Sequence, residues 1–81
     1  MSHYDIHFTG TKDEKERQAL RACASYLGKA RFNKMTQAIA KELQGASCRQ
    51  AYRSVRFNCP FIGIQGYWPI RAMFKHIWPL I

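Results

Sequence analysis

The sequence predicts an α+β domain, mainly helical, with a short N-terminal strand, a three-helix core, a short strand segment near 57–66 and a C-terminal helix. Three observations predict it. Apolar residues recur at three- and four-residue steps through most of the chain, apolar and polar residues alternate at its start, and Asn, Pro and Gly punctuate the stretch after Phe57. At 81 residues the chain reads as one compact domain, 1–81, of a size where one core just suffices and a large buried catalytic cavity is not expected. Hydrophobic residues at 47% place it with folded rather than disordered chains.

Tyr4, Ile6 and Phe8 alternate with His3, Asp5 and His7, the period-two pattern of a strand with one buried face. Thr9 and Gly10 end it. Thr11 and Glu14 stand at capping-box spacing, and Asp13, Glu14 and Glu16 put negative charge at the positive end of a helix dipole. The helix that follows is expected over 12–27, with Leu20, Cys23 and Leu27 as its apolar stripe and Gly28 as its cap. A second helix is expected over 31–44 from Phe32, Met35, Ile39 and Leu43, ended by Gly45. Ser47 can cap a third, in which Cys48, Ala51, Tyr52 and Val55 share one face and Arg49, Arg53 and Arg56 another. Phe61, Ile62 and Ile64, set between Asn58, Pro60, Gly63 and Gly66, suggest a short strand or an extended crossing. Pro69 suits the first turn of a last helix, with Ile70, Met73, Phe74 and Ile77 as its stripe, and Pro79 stops it.

Charge narrows the function. Thirteen Lys and Arg against five Asp and Glu give a net +8, and after residue 16 the sole acid is Glu42, against eleven basic residues. Most of the surface is therefore positive, which attracts phosphate backbones, anionic lipid or an acidic protein face. No stretch reaches the roughly 18 apolar residues of a membrane span. Cys23, Cys48 and Cys59 are odd in number and widely spaced, and no signal-peptide pattern precedes them, so reduced thiols in a cytoplasmic setting are expected.

The stretch "IAKELQGASCRQAYRSV" resembles the helix-turn-helix of bacterial and phage DNA-binding regulators. Ala40 matches the small residue of the first helix, Gly45 the turn, and Ala51 and Val55 the inward face of the recognition helix. Gly45 stands one residue later than in the common pattern, so the turn carries an extra residue. The resemblance covers about a quarter of the chain. It implies that Arg49, Gln50 and Arg53 reach base edges, with Arg56, Lys41 and Lys34 on phosphates and the segment after Phe57 lying alongside as a wing. An amphipathic helix with an ordinary solvated face accounts for the same residues.

A second reading is protein binding. Tyr67, Trp68, Arg71, Phe74 and Trp78 lie within twelve residues and belong to the types frequent at interface hot spots, although a small core needs aromatics too. They are candidates for a host-protein contact or for a homodimer. In size and style the chain resembles phage proteins that block a host complex, anti-CRISPR proteins among them, without sharing a residue motif with them. Such an inhibitor acts by occlusion on an acidic surface.

An enzyme is not expected, since no Gly-rich phosphate loop or nucleophile elbow occurs, and Cys23 and Cys48 fall on apolar faces. The pattern His3, Asp5, His7 is too slight to carry a metal, and no cofactor is implied.

Overall fold

Thr11 fixes where the described helices begin. In the computed structural model, which describes residues 8–81, its hydroxyl accepts the Glu14 amide at 3.3 Å and donates to Glu14 Oε1 at 3.2 Å. Helix α1 then runs Lys12–Leu27, burying Glu16, Ala19, Cys23 and Leu27 at three- and four-residue steps. Gly28, at φ +86°, closes α1 and opens α2, Lys29–Glu42. A side chain at that φ is strained, and glycine lets the chain turn a corner without spending a loop. For this reason α2 starts two residues before the expected 31. Its last turn loosens, the Leu43 amide being shared between the Ile39 and Ala40 carbonyls at 3.1 and 3.2 Å, so it ends short of 44.

Ser47 caps α3, Cys48–Asn58, through a reciprocal pair: its Oγ accepts the Gln50 amide at 3.2 Å and its own amide donates to Gln50 Oε1 at 3.1 Å. Helix α4 runs Tyr67–Ile77. Pro69 falls in its first turn, where the missing N–H has no helical partner to lose. A 3-10 turn, Trp78–Leu80, carries Pro79 and ends the chain's regular structure.

The expected α+β class is corrected: among the described residues there is no strand, and the fold is all-helical. The strand expected near 57–66 is instead the end of α3 followed by a 3-10 turn, Cys59–Ile62. The Gly63 amide donates to the Pro60 carbonyl at 3.3 Å and the Ile64 amide to the Cys59 carbonyl at 2.9 Å, the Schellman arrangement that terminates helices. Local bonds thus consume the groups a sheet would need, and Pro60 has no N–H to donate. Gly63 adopts φ +86°, and a Cβ there would lie 2.7 Å from the Tyr26 hydroxyl. The N-terminal strand expected from Tyr4, Ile6 and Phe8 lies outside the described residues except for Phe8, which is irregular.

Helix α4 is the hub. It packs most extensively on α1, and also on α3 and α2. Cys23 and Leu27 of α1, Phe32 and Ala40 of α2, Val55 of α3, Cys59, Ile64, and Met73 and Ile77 of α4 form one continuous core. Ala19 and Ala72 are buried small residues on α1 and α4, and such residues let helices approach closely.

Candidate nucleic-acid interface

Helix α3 turns Ala51, Val55 and the following Cys59 inward. With about 100° per residue, Arg49, Arg53 and Arg56 fall on the outward side, Tyr52 on one flank of that stripe and Phe57 on the other. All three arginines are exposed. Among the described residues none of them has a carboxylate within ion-pair distance, for both ion pairs there converge on Glu16. The acids of the described residues lie elsewhere, at the start of α1 and at the end of α2. Arg53, Arg56, Phe57 and Pro60 line an open groove of about 410 Å³, in which Phe57 is 68% exposed.

Gln50 is exposed, but its side-chain oxygen accepts the Ser47 amide, so the acceptor it would offer an adenine edge is engaged in the cap. Lys34 and Lys41 are exposed on the side of α2 opposite Phe32, Thr36 and Ala40, a helix face separate from the arginine stripe. Helix α3 packs chiefly on α4 and on the 3-10 turn after it, while α2 packs on α1 and α4.

The aromatic residues divide into two groups. Tyr67, 60% exposed, meets Trp68 edge to face at 4.9 Å, and Trp68 carries the Lys15 ammonium 5.3 Å from its ring. At the other end of α4, Phe74 meets Tyr52 edge-on at 5.1 Å and stacks on Trp78 at 5.9 Å. Arg71 lies between the groups and is already occupied. Its Nε donates to Glu16 Oε1 at 2.9 Å, and its Nη1 donates to the Tyr67 hydroxyl at 3.3 Å. Lys75 Nζ completes the cluster, donating to Glu16 Oε2 at 2.7 Å.

Glu16 is the residue that sequence reasoning misplaced. Assigned there to the helix dipole, it is buried in the α1–α4 seam, and the bonds from Lys75 and then Arg71 hold its carboxyl below the usual glutamate range against the opposing effect of burial. The signal was present: position 16 continues the stripe of Ala19, Cys23 and Leu27 backwards, and Arg71 and Lys75 are spaced one helical turn apart. Burial pushes the Cys23 thiol up to about 11 and the Cys59 thiol to about 12, so both stay protonated at neutral pH. Cys48 is exposed at the start of α3. The His3, Asp5 and His7 pattern lies outside the described residues. No helix among the described residues is long and apolar enough to cross a membrane.

Comparison of the chain with protein-family models, with curated proteins and with solved structures finds no match.

Proposed function

We propose that this chain is a non-enzymatic nucleic-acid-binding protein, a regulator of phage or mobile-element style, that engages phosphates through the outward face of α3. The observation that carries this reading is the stripe of Arg49, Arg53 and Arg56, exposed and without carboxylate partners among the described residues. Three guanidinium groups held along one helix gain little from folding and repel one another, but each releases a counterion when it meets a phosphate. Since α3 leans on α4, this face needs no first helix packed behind it. Contact through the arginines is therefore a better-supported mode than the reading of a two-fold operator by a helix-turn-helix pair. Three free thiols suit a reducing, cytoplasmic setting.

A second reading is an occluding inhibitor of a host protein, supported by the exposure of Tyr67, Trp78 and Leu80 at 60%, 37% and 50%. Its contact would then centre on the aromatic ends of α4.

Titration of labelled DNA by fluorescence anisotropy tests the first reading. Three phosphate contacts give a log–log salt slope of about −2.7, so a fourfold rise in salt weakens binding roughly fortyfold. Arg49→Ala with Arg53→Ala flattens the slope by about 1.8 and leaves the melting temperature nearly unchanged, because both side chains are exposed. Absence of binding at low salt removes the reading. A protein partner that persists after nuclease treatment and is lost with Trp78→Ala favours the second.

A further inference from the structure

The groove beside the arginine stripe sets an aromatic ring among its cations. Phe57 follows Arg56 directly and lies one helical turn beyond Arg53, and all three line the same open groove with Pro60. Its position on α3 is opposite Val55, which is fully buried, so the ring lies on the outward side of its helix. Most of its surface, 68%, meets solvent. A duplex hides the faces of its bases against one another, whereas a single strand can offer a base face to a ring while its phosphates meet adjacent cations.

We infer that the ligand of this face is single-stranded nucleic acid, with one base stacked on Phe57 and the flanking phosphates held by Arg53 and Arg56. The inference rests on the nucleic-acid reading above and names the ligand class for it. The spacing is suitable: along the axis Arg49 lies about 6 Å before Arg53, and Arg53 about 4.5 Å before Arg56. Long, flexible arginines on that rise can follow successive phosphates of one strand. Side chains on a helix lean towards its N-terminus, which inclines the Phe57 ring over the turn that carries Arg53. Stacking of this kind is tolerant of sequence, since every base has a π-face, so weak sequence preference and strong salt dependence are expected together.

The test compares a labelled oligothymidylate of about twelve nucleotides with a duplex of mixed sequence, using the full chain and its Phe57→Ala, Phe57→Tyr and Arg53→Ala forms. The single strand binds more tightly than the duplex. Phe57→Ala weakens the single strand about tenfold while leaving duplex affinity and the salt slope as they were, and Phe57→Tyr restores it. Arg53→Ala weakens both ligands and flattens the slope. Melting curves confirm that each variant is folded, as the exposure of both side chains leads one to expect. Equal affinity for the two ligands, or a single-strand affinity indifferent to Phe57→Ala while Arg53→Ala still lowers it, overturns the stacking inference and leaves the arginine face standing. If neither ligand binds at low salt, both fall.

Discussion

Glu16 shows how one side chain can join two helices and make their union depend on pH. Its carboxylate is nearly buried, yet the two cations that reach it are only partly so, Arg71 with 36% and Lys75 with 50% of the side chain exposed. Water therefore screens the attraction, and its contribution belongs nearer to that of a charged hydrogen bond than to that of a buried ion pair. Glu16→Gln is expected to cost about 1–2 kcal/mol at neutral pH. Because the folded state lowers the pKa of this group, its stabilisation is complete above the usual glutamate range and disappears as pH falls through the lowered value. Thermal melts of the parent and the variant should therefore differ at about pH 7 and converge as pH falls through the lowered value, below which a protonated glutamate resembles glutamine. A gap that does not change with pH would assign the loss to packing. The same residue marks a limit of sequence reading. The spacing put Glu16 on the apolar stripe of α1, but nothing local to α1 says that α4 brings Arg71 and Lys75 opposite it.

Individual helices were legible because each carries its own punctuation. Thr11 and Gly28 bracket α1 at the ends the sequence suggests, and Ser47 starts α3 with a box whose two arms both form. Ser47→Ala removes the arm to the Gln50 amide and is expected to cost about 1 kcal/mol, a fall in melting temperature of about 4–8 °C. Ser47→Asp should retain most of the stability, since aspartate caps as well and complements the dipole. Circular dichroism melts of the two variants check this, and equal losses would show that the cap is immaterial. The segment after Phe57 was misread for a reason of the same kind. Asn, Pro and Gly around apolar residues signal a break in helical periodicity, but the break serves equally well as a strand boundary or as a helix terminator. Which it is depends on whether another strand is available. Here the Gly63 and Ile64 amides turn back onto Pro60 and Cys59, and Ile64 is delivered to the core by that turn. The arginine stripe of α3 was legible from period alone, and the engagement of Gln50 in the cap was present in the local Ser-x-x-Gln spacing, whereas that of Arg71 with Glu16 required a three-dimensional partner.

Across the molecule, the small core makes the helices interdependent. Cys23 comes from α1 and Cys59 from the turn after α3, yet both are fully buried in the cluster that Met73 and Ile77 of α4 complete. A chain of this size has few residues to spare for independent subunits of structure, so opening is expected to be global rather than local. The three thiols report on this directly, because the thiolate is the reactive form and reaction needs both access and ionisation. With a thiol-reactive disulfide reagent at about pH 8, Cys48 should react at once in the folded protein. Cys23 and Cys59, pushed up to about 11 and about 12, should react only through opening, at a common rate that rises steeply with denaturant well below the midpoint. Mass spectrometry of quenched samples separates the three positions. Modification of Cys59 well ahead of Cys23 would mean that the end of α3 and its 3-10 turn detach while α1 and α4 stay together. The groove at Arg53, Arg56, Phe57 and Pro60 would then belong to the least stable part of the fold, and a ligand seated there should slow Cys59 selectively. Equal rates instead make the groove as rigid as the core beneath it, and a bound ligand would protect both buried thiols by the same factor.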